Sequence, residues 1–358
     1  MDETKKQMKE FLKNFEGMPD RLLKYSEILL EGEDASPLCY QDPMSFRRLT
    51  FELTTKCNIG CVWCYRHDPH YQHILNKDMP FELLEKIVEN TQSKYRMIHI
   101  GGLGEPLLYP RIYDAIRLLK KLSDKIKITT NNLFLTPEVV DKLTEAGLTH
   151  IEISVLGFNE QENAKYQGRK ESDKFGNLLK NIQYISDENK LHLQINTVIT
   201  NVSYDSISKS VETLKDAKNL KAIHTIPLFV TEQCKEKGVE RISDEKYIEL
   251  LEKLQADIEK YDLDWELSPP AHGIKMDPVI EMKKKKNICF TCFEDPYIGV
   301  GGKIYPCGRR KDFICEDASL GVEKAFNGPK LNQFRKNMLE GNYPIACGKI
   351  CYLKDKTK

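Results

Sequence analysis

A chain of 358 residues, 40% hydrophobic and 30% charged, is long enough for two or three domains and a sizeable buried core. Its 54 basic and 54 acidic residues cancel, which argues against nucleic acid or an anionic membrane as the main partner. No apolar run reaches the ~18–20 residues of a membrane-spanning helix, and the opening "MDETKKQMKEFLKNF" has no apolar signal core, so a soluble cytoplasmic protein is expected.

Residues 1–47 read as a helical lead-in. Met8, Phe11, Leu12 and Phe15 recur at helical spacing, and Leu22, Leu23, Ile28 and Leu29 suggest a second helix. From residue 48 the rhythm changes to short apolar runs at 48–54, 97–101, 125–130, 150–155, 191–199 and 222–230. Helical patterns lie between them. Pro80 and Pro110 stand near the first turns of two, and Thr136 and Pro137 open a third that Gly147 closes. "FGNLLKNIQYISDEN" and "SYDSISKSVETLKDA" supply two more. Six strands alternating with helices predict parallel βα units wound right-handed. With no obvious seventh or eighth unit, the expected fold is α/β, an open partial (β/α)6 barrel over residues 48–232. Residues 233–286 read as a link, with one long amphipathic helix in "ISDEKYIELLEKLQADIEKYD" and an edge strand in "LDWELSPP". Residues 287–358 read as a small cysteine-bearing α+β domain, in which "PYIGVGGKIYPCG" predicts a hairpin around Gly301 and Gly302.

Eleven cysteines are many for a reducing compartment, where clustered thiols serve metal or redox chemistry more often than disulfides. Cys57, Cys61 and Cys64 are spaced C-x3-C-x2-C directly after the first strand. That is the carboxyl end of a strand, where folds of this class place their sites. A zinc site would need a fourth ligand, for which His67, His70 and His73 are nearest. A 4Fe–4S cluster on three thiolates leaves one iron open to a ligand.

The C-x3-C-x2-C motif after the first strand of a partial barrel resembles the radical SAM superfamily. In that family S-adenosylmethionine (SAM) chelates the open iron, and an electron from the cluster releases a 5′-deoxyadenosyl radical. The resemblance implies that Cys57, Cys61 and Cys64 hold the cluster and that Tyr65 packs near the adenine. "HIGGLGEPLLYP" is similar to the family's glycine-rich turn, so Gly102, Gly104, Glu105 and Pro106 would meet the methionine moiety, with glycines admitting the backbone and the Glu105 carboxylate receiving the ammonium. Thr130, Asn131 and Asn132 resemble a "TNG"-like turn near the nucleoside; Asn132 stands where glycine is common, and asparagine tolerates positive φ. Ser154 and Asn196 resemble contacts to the SAM carboxylate or ribose, although strand-end capping or a satisfied core amide explains them equally. This resemblance covers residues 48 to about 230.

Cys292 and Cys307 frame a C-x9-G-x4-C pattern with Gly302, and "CGKIC" brings Cys347 and Cys351. This set resembles the SPASM and Twitch extensions of radical SAM enzymes. The resemblance implies one auxiliary 4Fe–4S cluster on Cys292, Cys307, Cys347 and Cys351, with Cys289 an alternative ligand. A zinc ribbon uses the same tetrathiolate donors. Cys39, Cys234 and Cys315 remain; Cys234 and Cys315 are candidate hydrogen donors, and an isolated cysteine is otherwise a small buried hydrophobe.

The expected activity is removal of a hydrogen atom from a polar substrate. The net change is a two-electron oxidation of a sugar- or aminocyclitol-like small molecule, with the auxiliary cluster accepting the second electron and a flavodoxin or ferredoxin supplying the first. The alternative is a peptide substrate, crosslinked or epimerised. A non-catalytic iron–sulfur or zinc protein is the third reading, against which the glycine turn argues.

Overall fold

The computed structural model describes residues 48–169, 174–228, 230–268, 291–308 and 315–339. The helices expected in 1–47 lie outside these residues, as do Cys39, Cys289, Cys347 and Cys351. No helix among the described residues is long and apolar enough to cross a membrane.

The strands are β1 (Leu49–Phe51), β2 (Ile98–Ile100), β3 (Ile126–Thr130), β4 (His150–Ser154), β5 (His192–Ile199), β6 (Leu220–Pro227), β7 (Glu266–Ser268), β8 (Tyr297–Ile298), β9 (Lys303–Tyr305) and β10 (Glu316–Asp317). They form one sheet in the order β10-β9-β8-β1-β2-β3-β4-β5-β6-β7. From β1 to β7 every neighbouring pair is parallel. The fold is therefore mixed α/β with a largely parallel sheet, the open partial barrel that strand–helix alternation predicts, with β7 as the expected edge strand.

Local chemistry sets the crossover helices. Thr136 caps Pro137–Ala146 by accepting from the Val139 N–H, and Gly147 ends it at φ 105°. Pro80 precedes Phe81–Asn90, and Asn189, at φ 48°, ends Phe175–Glu188. The helix expected over 203–217 is two pieces, Tyr204–Ile207 and Ser210–Leu214. Ser208 hydrogen-bonds back to the Asp205 carbonyl, the kind of local bond that competes with the helical ladder. Two short helices, Glu160–Tyr166 and Glu232–Glu236, have no counterpart in the expectation.

The two faces of the sheet differ. Leu49, Phe51, Ile98, Ile100, Ile126, Ile128, Ile151, Ile153, Leu193 and Ile195 are wholly buried. They pack with Leu84, Ile87, Ile116, Leu119 and Leu143 of the helices in the main core. The alternate positions are polar: Thr50, His99, Lys127, Thr129, Glu152, Gln194 and Asn196 bond to one another on the opposite face. A parallel sheet covered by helices on both faces reads as continuous apolar runs. This one alternates because only one face is covered, and the other lines a polar lumen.

The cysteine-bearing hairpin joins the same sheet. β8 pairs parallel with β1, Thr50 opposite Tyr297 and Phe51 opposite Ile298, and β9 and β10 follow antiparallel. Gly302 makes the turn at φ 69°, where a Cβ would press on Leu83. The described part of 287–358 thus extends the barrel from its β1 edge.

Candidate active site

Three loops leave the carboxyl ends of β1, β2 and β3 and meet. The first carries the cysteine trio. Its start is tied down by Thr54 and Lys56, which donate to the Asp78 carboxylate at 2.6 Å each, and by Thr55, which donates to the Ile74 carbonyl at 2.6 Å. Its far side docks on the end of Glu160–Tyr166, where the Gly60 N–H donates to Gln167 and the Val62 N–H to Tyr166. The Trp63 and Tyr166 rings lie 5.4 Å apart. Gly168 adopts φ 67° with the Gly60 carbonyl where a Cβ would stand, so only glycine fits there.

Cys57, Cys61 and Cys64 are all partly exposed. Burial pushes the Cys61 thiol well above its ordinary range, and the neighbouring Cys64 and Cys57 push it further. Burial also raises Cys57, and the nearby Glu105 carboxylate adds to it. A trio in which the central thiol's ionisation is opposed by burial and by its two neighbours is a poor set of free nucleophiles but a coherent soft donor set, since a bound iron cluster would remove that penalty. Among the described residues, no group of three or more His, Cys, Asp or Glu side chains already stands arranged to hold a metal ion. The fit rests on donor chemistry and on the place of the trio.

The glycine turn follows β2. Gly102 has φ 153°, and a Cβ there would strike the Tyr297 hydroxyl and the Glu52 carboxylate; at Gly104 it would strike the Thr54 and Lys56 carbonyls. The space these glycines leave is filled by protein, not by an open cradle. Glu52, wholly buried, accepts from the Leu103 N–H at 2.9 Å and the Tyr297 hydroxyl at 2.7 Å. Glu105 is likewise turned inward, 2% exposed. It accepts from the Thr130 hydroxyl and Asn131 N–H at 2.7 Å each, and from the Leu107 N–H at 3.2 Å. Burial raises its carboxyl above the usual range in spite of those bonds. The carboxylate expected to receive an ammonium is therefore engaged within the protein, and its link to a ligand runs through the loops it holds. Pro106 opens the short turn Pro106–Leu108 behind it.

The third loop closes the circle. The Asn131 amide donates to Asn58 in the cysteine loop at 2.8 Å. Asn132 adopts φ 70°, the conformation for which asparagine substitutes for glycine. Its carboxamide accepts from Asn181 at 3.2 Å. Thr130, Asn131 and Asn132 are all buried. Ser154, at the end of β4, lies in register with Asn196, in the second half of the longer β5, and both are partly exposed. Tyr65 begins the short helical turn Tyr65–His67 directly after the trio.

The remaining cysteines are scattered. Cys234 is 0% exposed, beneath the cysteine loop, with Val62, Trp63, Leu156 and Tyr166. Its sulfur accepts from Thr231 at 3.2 Å and faces the Val62 carbonyl at 3.9 Å. Those contacts are the ones a packing residue makes. Cys292 is buried, and Cys307 and Cys315 are partly exposed, near the hairpin. Tyr305 is pushed up to about 12 by burial, then by Cys315 and Glu52, which sets all three in one neighbourhood.

Sequence reasoning missed Glu52, Lys127, Glu152, His224 and Tyr297. A signal was present for three of them. Glu52, Lys127 and Glu152 interrupt "TFELT", "KIKIT" and "HIEIS" at alternate positions, as side chains facing a polar lumen must.

Residues 51–214 match the family model described as the radical SAM superfamily. A stretch of 109 residues is 33% identical to the tungsten-containing aldehyde ferredoxin oxidoreductase cofactor-modifying protein of Pyrococcus furiosus, covering 30% of each chain. A stretch of 170 residues is 26% identical to the AdoMet-dependent heme synthase of Methanosarcina barkeri, covering 48% of this chain and 47% of that one. The chain thus spans less than half the length of these two curated relatives. The crystal structure of Streptococcus suis SuiB bound to precursor peptide SuiA is similar with a TM-score of 0.63 and 17% identity, over 89% of this chain and 72% of that one. At that identity the likeness is one of fold.

Proposed function

We propose that this chain is a radical SAM enzyme, with its radical SAM domain in residues 51–214, and that it oxidises a polar substrate by two electrons after removing a hydrogen atom from an unactivated C–H bond. The observation that carries this reading is the lining of the lumen, where His99, Lys127, Thr129, Glu152, Gln194 and Asn196 form one connected polar cluster beside the three site loops. A polar, charged face of this kind, held together by its own hydrogen bonds, suits a polar substrate better than an apolar one.

In this reading Cys57, Cys61 and Cys64 hold a 4Fe–4S cluster. SAM, bound and reduced there, supplies the carbon radical that takes the hydrogen atom. The turn at 101–106, Thr130–Asn132, Ser154 and Asn196 hold SAM by backbone and side-chain hydrogen bonds, with Tyr65 beside its adenine. Cys292 and Cys307, with Cys347 and Cys351 or the alternative Cys289, would hold a second cluster, which would supply an electron acceptor for the oxidation. A flavodoxin- or ferredoxin-like donor in the cytoplasm reduces the first. The favoured substrate is a hydroxylated small molecule of the sugar or aminocyclitol kind. A peptide is the second reading, favoured by the fold likeness to a protein seen with a precursor peptide over 89% of this chain.

Anaerobic reconstitution tests this. About eight irons per chain are expected, falling to about four in a Cys57/Cys61/Cys64 triple alanine variant. Reduced wild-type protein with SAM should yield 5′-deoxyadenosine and methionine. Iron-loaded protein that makes neither would sink the proposal.

A further inference from the structure

The lumen contains an assembly whose geometry specifies one reactive atom. Glu152, in the middle of β4, is 4% exposed. Its Oε1 accepts from Lys127 Nζ at 2.7 Å and lies 3.6 Å from His224 Nδ1. Its Oε2 accepts from the Thr129 hydroxyl at 2.8 Å and the Asn196 amide at 3.4 Å. Lys127 is further fixed by Gln194 at 2.8 Å. Both carboxylate oxygens are engaged, by three hydrogen bonds and the nearby imidazole, so its role is to hold its neighbours. Burial alone would raise its carboxyl, but His224 and Lys127 bring it well below the usual range, so it is ionised at neutral pH.

A carboxylate 3.6 Å from Nδ1 favours the tautomer that carries its proton on that nitrogen, which would turn the Nε2 lone pair outward. The other lumen histidines are not built this way. His99 is pushed down to about 3 by burial, and its two nitrogens face Thr50 and Thr129. His150, pushed down to about 4 by burial, faces His192 at 4.7 Å at the amino ends of their strands. His224 instead has a side chain 38% exposed and stands in register with Asn196 and Ser154 near the carboxyl ends. Asn196 turns its amide to Glu152, and its buried Oδ1 has no hydrogen-bond partner among the described residues. A partly exposed imidazole acceptor there suits a ligand that donates from a hydroxyl group.

We propose that His224 is the lumen's catalytic proton acceptor, oriented by Glu152, and that it takes the proton of a substrate hydroxyl. This rests on the oxidative reading above. Once a hydrogen atom has left the carbon that bears the hydroxyl, the O–H bond breaks with its proton passing to Nε2. One electron leaves for an iron–sulfur acceptor, and the C–O bond becomes C=O. Atoms, charge and electrons balance.

The test has two arms. In the full chain labelled with 15N-histidine, long-range 1H–15N correlation spectra report ring tautomers without any turnover, and the His224 signals are identified by their loss in His224→Gln. The expected result is Nδ1 protonated and Nε2 bare, with the preference weakened in Glu152→Gln. A wild-type His224 protonated on Nε2 overturns the proposal. In the reconstituted enzyme, a cyclitol or sugar that raises 5′-deoxyadenosine above the substrate-free level is turned over by His224→Ala. Oxidised product per 5′-deoxyadenosine should fall at least tenfold and recover in part with added imidazole; an unchanged ratio overturns the assignment. Wild-type protein that makes no 5′-deoxyadenosine defeats the parent reading, while the tautomer arm still decides this one.

Discussion

Glu105→Ala removes the group that ties the glycine turn to the loop after β3. Two of its bonds are short, at 2.7 Å to the Thr130 hydroxyl and the Asn131 N–H. Bonds to a charged acceptor contribute ~1.5–3 kcal/mol each, or about 3–6 kcal/mol for the pair. The third, from the Leu107 N–H at 3.2 Å, adds little. Against this stands the cost of burying a carboxylate, visible in its raised pKa, which the alanine relieves. The expected net loss is about 2–4 kcal/mol. Glu105→Gln should lose about 1–3 kcal/mol, because one amide oxygen serves one donor while its NH2 opposes the other. Urea unfolding followed by circular dichroism measures both, with an unchanged m-value as the check on cooperativity. Amide exchange at Asn131 localises the effect, since that N–H loses its acceptor. An alanine variant within ~0.5 kcal/mol of wild type, or with unchanged protection at Asn131, would refute the view that this carboxylate braces the site.

Three further outcomes are expected. Gly168→Ala forces a Cβ into the Gly60 carbonyl at φ 67°, so it should cost at least ~2 kcal/mol and shift the emission of Trp63 in the cysteine loop; an unshifted spectrum with full stability would contradict the docking described. Cys234→Ala should keep 5′-deoxyadenosine formation and product while losing ~1–2 kcal/mol from a small buried cavity; an accumulating substrate radical in that variant would restore Cys234 as a hydrogen donor. The Glu152 carboxyl is held below its unfolded value, so its stabilisation is present above about pH 4.3 and is lost as pH falls through its lower folded value. The stability gap between wild type and Glu152→Gln should therefore be constant above about pH 5 and narrow in acid, and a gap that widens on acidification would show the sign to be wrong.

What was legible in the sequence was what short-range chemistry decides. Thr136, Pro137 and Gly147 bound their helix as capping rules require, and the strands from 48 to 230 fall where short apolar runs lie. The hairpin around Gly301 and Gly302 follows from its glycines and flanking β-formers. The helix over 203–217 was misread because its apolar spacing is regular while its serines bond to the backbone. The docking of β8 on β1 had no local signal at all. It joins Phe51 to Ile298, and nothing in either segment names the other. The lumen was legible in principle, since Lys127 and Glu152 sit mid-strand between isoleucines, as strands with one polar face require.

The glycine turn shows why site residues are the hardest to assign from a motif. Gly102 and Gly104 fit a pattern that suggests a ligand pressed against bare backbone, yet the atoms that exclude a Cβ are those of Glu52, Tyr297 and the 54–56 chain. The two carboxylates nearest the turn work inward as well. Glu105 reaches Thr130 and Asn131, and Asn131 reaches Asn58 beside Cys57. Glu52 reaches Leu103 on one side and Tyr297 of the hairpin on the other. One six-residue turn is thus hydrogen-bonded to the loop of the first cysteine set through Glu105 and to the strand that leads toward Cys307 through Glu52. A motif records which residues such a turn carries; the fold adds that two separate cysteine-bearing segments are hydrogen-bonded to it.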